Sequence, residues 1–106
     1  MKLYLAGPMR GIDHFNFPAF RAAAYELRRQ GHYVFSPAER DEEIYGVDFS
    51  DTDGKDFDLR SALAADCKYI CEEADGIYML KGWEKSYGAR AEHALAVALG
   101  LYVEYQ

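Results

Sequence analysis

Ser86-Tyr87-Gly88-Ala89-Arg90-Ala91-Glu92 carries the most chemical information in the chain. It follows a short apolar run, Gly76 to Leu80, and opens a helical run, Ala91 to Leu99, that Gly100 stops. A strand that leads through a Ser/Gly turn into a helix start presents backbone N–H groups to an anion. Glu92 then falls in the first turns of that helix, where the positive end of the helix dipole favours its ionised form. An ionised carboxylate beside an anion site points to attack on, or stabilisation of, a sugar carbon in a phosphorylated ligand.

The elements that position these residues follow from punctuation and periodicity. Lys2 to Ala6 reads as a strand closed by Gly7-Pro8, and Asn16 or a neighbour caps a helix with Pro18 in its first turn. Phe20, Ala23, Ala24 and Leu27 form an apolar stripe on that helix, and Gly31 ends it. His32 to Ser36 is a second strand ended by Pro37, and the acidic stretch from about 38 to 56 reads as a long loop. A helix over 57–73, a strand over 76–80, a helix over 89–99 and a strand over 101–105 complete the order. Strands alternating with helices imply a parallel sheet with right-handed crossovers. The expected fold is an α/β, flavodoxin-like three-layer sandwich with strand order 2-1-3-4, a single domain over 1–106. Ligands of such sheets bind beyond the C-terminal strand ends, so Gly7–Gly11 and Lys81–Gly88 should line the site.

Length arithmetic adds two carboxylates to that rim. From Asp66 to Asp75 a helix descends about 13 Å at ~1.5 Å per residue, and strand 76–80 climbs back roughly 16 Å at ~3.3 Å per residue. The same reasoning for Glu92, Gly100 and the last strand returns Glu92 to the same edge.

The bulk composition narrows the classes. Of 106 residues, 50% are hydrophobic, which excludes a disordered chain. No apolar run approaches the roughly 18 residues that cross a bilayer, and the chain opens on a strand-like pattern, so neither a signal peptide nor a membrane partner is expected. Cys67 and Cys71 are too few for a metal site, and a reduced, cytoplasmic protein is the expectation. The net charge is −6, and residues 39–58 hold nine acids against Arg40 and Lys55, leaving +1 for the remainder. That balance argues against duplex nucleic acid as the partner. Asp51-Thr52-Asp53-Gly54 has the look of a calcium loop, but placing Gly54 sixth puts Phe49 first and Arg60 twelfth, where carboxylates are required. No metal and no cofactor are expected.

In element order and in three blocks the chain resembles the nucleoside 2-deoxyribosyltransferases and the related 2′-deoxynucleoside 5′-monophosphate N-hydrolases, and among them the short phage-type members. The blocks are Leu3 to Gly11, Asp66 ahead of Ala74-Asp75, and Ser86 to Glu92 with its Ala-rich helix. The resemblance implies cleavage of an N-glycosidic bond by hydrolysis or base exchange, with Glu92 as nucleophile at the sugar C1′. It implies Tyr4 as support for that carboxylate and Asp66 as the group that assists the leaving base. Arg10, Ser86 and the Gly88 turn would grip a 5′-phosphate, beside Gly7, Met9 and Gly11. Trp83, Tyr87 and Phe15 are candidate walls for the base, and a small-molecule nucleotide is the expected partner.

The resemblance also implies a homodimer or larger assembly, with helix 89–99 or its neighbour in the contact. Three features depart from the family pattern: Glu92-His93-Ala94 stands where Glu-Leu-Gly is usual, Arg90 replaces a small or apolar residue, and the chain stops at Gln106, where longer relatives carry a further tail. The missing tail and Glu92-His93 favour a rival, a nucleotide-binding or sensor protein that keeps the pocket without turnover. Transfer from free nucleosides is a second alternative.

Overall fold

The structure, a computed structural model, describes residues 1–45 and 58–106. Four parallel strands, β1 (Lys2–Ala6), β2 (Tyr33–Phe35), β3 (Gly76–Met79) and β4 (Tyr102–Tyr105), form one sheet in the order β2-β1-β3-β4. The helices are α1 (Phe17–Arg29), α2 (Pro37–Tyr45), α3 (Leu59–Glu72) and α4 (Tyr87–Ala98). This is the flavodoxin-like arrangement that the alternation of elements predicts.

The central strand β1 is buried on both faces, and its alternation divides the core in two. Leu3 and Leu5 pack with Phe17, Phe20, Ala24 and Leu27 of α1. Tyr4 and Ala6 face the opposite layer, with Ile77 and Met79 of β3, Ile70 of α3, and Ala89 and Ala96 of α4. In register Tyr4 lies opposite Ile77, and Ala6 opposite Met79. Burying this much aliphatic and aromatic surface, at about 25 cal/mol per Å², is the main force holding the layers.

Two details fix the strand ends that carry the site. A Cβ on Gly7 would come within 2.7 Å of the Leu80 side chain, so only glycine lets β1 and β3 end this close together. Asn16, at the start of α1, does not cap the helix with its side chain. Its Nδ2 instead donates to the Pro8 carbonyl at 2.9 Å and ties down the turn after β1. The approach to that helix, His14 to Asn16, has three consecutive left-handed residues, with φ of 56°, 52° and 61°. Each such non-glycine residue costs on the order of 1 kcal/mol and persists only where its surroundings impose it.

The expectation of a loop from about 38 to 56 is corrected over its first part, where α2 stands; the calcium-like run at 51–54 lies outside the described residues. The helix forms because its acids have partners on α1. Both oxygens of Glu39 accept from the Arg28 guanidinium at 2.7 Å, and Glu42 pairs with Arg21. Ser36-Pro37-Ala38-Glu39 also has the sequence of a helix start, with Pro at the first position and Glu at the third. Ser36 Oγ, buried, makes no hydrogen bond among the described residues, so the sequence signature is present there without the cap bond. No helix among the described residues is long and apolar enough to cross a membrane. Asp75 ties the start of β1 to the end of α3, its Oδ2 accepting from the Lys2 backbone N–H at 2.8 Å.

Candidate functional site

A cleft of about 580 Å³ opens at the C-terminal ends of β1 and β3, a size suited to a small-molecule ligand. Its rim comes from Gly7–Ile12, from α2 and α3, and from the segment that runs through Ser86 into α4.

Three acids and a tyrosine make its floor: Tyr4, Asp41, Asp66 and Glu92 are each at most 6% exposed. Tyr4 Oη donates a 2.7 Å hydrogen bond to Glu92 Oε2. The Tyr4 ring is held by stacking on Phe35, with centroids 5.6 Å apart, and it is this packing that aims the hydroxyl at α4. Burial, reinforced by the negative charge of Asp66, pushes the Glu92 carboxyl well above the ordinary carboxylate range, while the Tyr4 bond pulls it back. Burial also raises Asp66, and the charge of Arg40 opposes that rise. Tyr4 is pushed upward by burial and by the two acids, so its hydroxyl stays protonated and able to donate. Two carboxyl groups that close in a poorly solvated floor do not both ionise readily. Their surroundings therefore favour keeping a proton on the pair.

Arg40 is the buried cation of this floor, and it comes from the stretch read as an acidic loop. Its Nε lies 2.8 Å from Asp41 Oδ1 and its Nη2 3.2 Å from Asp66 Oδ1. Nη1 donates to the Ala62 carbonyl at 3.3 Å. Burial works against the guanidinium's charge, but Asp66 and Asp41 outweigh it and Arg40 is held protonated. Asp41, nearly excluded from solvent, is raised to about 6 by burial against the opposing pull of Arg40. Arg40 and Asp41 were not among the residues expected at the site. The Ser-Pro-Ala-Glu helix start was the signal that could have placed them one turn into a helix facing the sheet edge.

Of the expected residues, the cleft brings together Tyr4, Asp66 and Glu92 on its floor and Gly7, Met9, Arg10, Gly11, Ser86 and Gly88 on its walls. Arg10, Lys81 and Lys85 give the mouth three cations. Ser86 caps α4, its Oγ accepting from the Ala89 N–H at 3.2 Å. A Cβ on Gly88 would meet nothing within 4 Å, so glycine there leaves open space at the first turn of α4.

Trp83 is a correction. It lies outside the cleft wall, with its ring 4.3 Å from His93 and 6.1 Å from Tyr105. His93 also meets the Tyr105 hydroxyl, at 2.7 Å, so the residue after Glu92 belongs to this aromatic group and not to the cleft. Of the other candidate walls, Tyr87 lines the cleft and is 85% exposed, whereas Phe15 packs against the α1 side of the core. Arg90 is exposed and off the lining. Gln106 reaches back to the site edge: its Oε1 accepts from the Lys81 N–H at 2.9 Å.

Among the described residues no group of three or more His, Cys, Asp or Glu side chains is arranged to hold a metal ion. Cys67 and Cys71 are free thiols.

No curated protein matches the chain. From residue 1 to residue 105 it matches the model of a family described as a domain of unknown function, DUF4406, and the chain belongs to that family.

Proposed function

We propose that the protein cleaves the N-glycosidic bond of a (2′-deoxy)nucleoside 5′-monophosphate, by hydrolysis or base exchange. The observation that carries this reading is the buried trio at the cleft floor: Glu92 bonded to Tyr4, with Asp66 beside it. A carboxylate and a carboxylic acid side by side are the two groups that cleavage through a covalent intermediate requires.

In the first step a Glu92 oxygen forms a bond to the sugar C1′ as the C1′–N bond breaks. The bonding pair leaves with the base, which takes a proton from Asp66. In the second step water, or the nitrogen of an incoming base, attacks C1′ and displaces Glu92, and its proton passes to the Asp66 carboxylate. Both carboxyl groups end as they began. The Tyr4 hydroxyl stabilises the ionised Glu92 by a charge-assisted hydrogen bond. Arg10, Lys81, Lys85 and the N–H groups opening α4 supply the positive surface that a 5′-phosphate needs. Exposed Tyr33, Tyr102 and Tyr105 on the two edge strands support assembly of at least two copies as part of the same reading.

A second reading, nucleotide binding without turnover, draws on one observation. Burial and the charge of Asp66 push Glu92 toward its protonated form, and a protonated carboxyl is a poor nucleophile. Incubation with a panel of nucleotides and nucleosides, with released base followed by chromatography, separates the two. Base release from a monophosphate supports the enzyme; tight binding of one nucleotide with no release supports the sensor.

A further inference from the structure

Asp66 and Glu92 must divide one proton correctly, and the groups packed around them show which residue decides the division. Asp66 is faced by Tyr4 from β1, by Arg40 and Asp41 from α2, by Glu92 from α4, and by its neighbour Cys67 on α3. Arg40 is the one cation in that set. Its contacts are unequal. With Asp41 it makes an aligned hydrogen bond of 2.8 Å. With Asp66 it makes a charge contact of 3.2 Å, and Asp66 Oδ1, though buried, has no hydrogen-bond partner among the described residues. The guanidinium is thus anchored on α2 and on the Ala62 carbonyl of α3, and presents its remaining charge to Asp66.

We propose that Arg40 is a positioning residue for the carboxylate pair: anchored on Asp41, it holds the charge and orientation of Asp66 and so decides which of Asp66 and Glu92 carries their shared proton. The guanidinium 3.2 Å from Asp66 Oδ1 favours the ionised form of Asp66, and so leaves the shared proton to Glu92. Weakening the Arg40–Asp66 contact moves the proton from Glu92 to Asp66, leaving Glu92 ionised and Asp66 an acid; one proton is transferred and none is gained or lost. Arg40 lines the cleft, so a bound ligand is within reach of that contact. The consequence for catalysis rests on the reading of Glu92 as nucleophile and Asp66 as acid, but the proton's location does not.

The test reads the ligand-free protein. Side-chain carboxyl carbons of Asp66 and Glu92 are followed by NMR through a pH titration in wild type, Arg40→Met, Arg40→Lys and Asp41→Asn. In wild type the higher-pH step should appear chiefly at the Glu92 carbon. In Arg40→Met it should pass to the Asp66 carbon, whose midpoint rises by about one pH unit or more, the usual effect of removing an opposite charge at this range. Arg40→Lys, which keeps the charge, should return the step toward Glu92. Asp41→Asn frees the guanidinium for Asp66 and should lower the Asp66 midpoint, opposite to Arg40→Met.

A purely structural role would not move the Asp66 midpoint in opposite directions in these two variants. An unshifted Asp66 in folded Arg40→Met, or a rise in Asp41→Asn, overturns the proposal; if Arg40→Met does not fold, the other two variants decide it. Shifts as expected in a protein that cleaves no nucleotide would sink the glycosidase reading alone. Base release with unmoved titrations would sink the role of Arg40 alone.

Discussion

Tyr4 and Glu92, 88 positions apart, meet in a 2.7 Å hydrogen bond that joins the central strand to the helix opening the cleft. Tyr4 is wholly buried and Glu92 nearly so, and an acid is rarely taken so far from water without a function or a compensating partner. The tyrosine supplies one bond only. The rest of the cost shows as the rise in the Glu92 carboxyl, a feature common to reactive sites.

Tyr4→Phe separates the bond from the packing, since the ring keeps its place against Phe35. Loss of a charged-group hydrogen bond of about 1.5–3 kcal/mol should slow base release roughly ten- to a hundredfold. Because the Tyr4 bond lowers Glu92, the variant should also need a higher pH to reach its own best rate. A pH–rate profile that overlays the wild type would contradict this.

Stability should fall as pH rises toward neutrality. Asp41, Asp66 and Glu92 are all raised in the folded protein, so the folded state keeps protons that the unfolded chain releases. Their contribution is complete below the unfolded values and is lost as pH climbs through the folded ones. For Asp41, raised from 3.8 to about 6, the loss spans that window and amounts to about 3 kcal/mol. Thermal unfolding should give a Tm at pH 5 above that at pH 7.5 by at least about 5 °C, and Asp41→Asn should reduce the difference. A Tm that climbs steadily from pH 5 to 7.5 would refute this assignment of charge.

The sheet order and the rim positions of Asp66 and Glu92 were legible because they depend on alternation and on length. A helix of known rise followed by a strand of known rise has little freedom in where it returns. Ser86 was legible as a cap for the same local reason. Arg40 and Asp41 were not, because a run of acids reads as solvated when its partners are invisible, and those partners, Arg21 and Arg28, lie on α1. Trp83 failed for the converse reason. An aromatic beside a glycine turn can face the ligand or the core, and only the tertiary placement of His93 and Tyr105 decides it.

Arg10 bears on substrate class. It shares the cleft mouth with Lys81, Lys85 and the start of α4, so a monophosphate should be handled better than its nucleoside. Arg10→Ala should weaken monophosphate binding roughly ten- to a hundredfold, as expected for one charge-assisted contact of about 1.5–3 kcal/mol, and leave nucleoside binding nearly unchanged. Calorimetric titration with both ligands checks it. Equal affinity of the wild type for the two would move the reading toward transfer from free nucleosides.

The central claim is that Glu92 attacks the sugar. Its most direct test is base release from a 2′-deoxynucleoside 5′-monophosphate by wild type and by Glu92→Ala, with circular dichroism confirming that the variant folds. The account predicts release by the wild type and a loss of several orders of magnitude in Glu92→Ala, with nucleotide binding retained. Release by the variant at a rate near that of the wild type would contradict it.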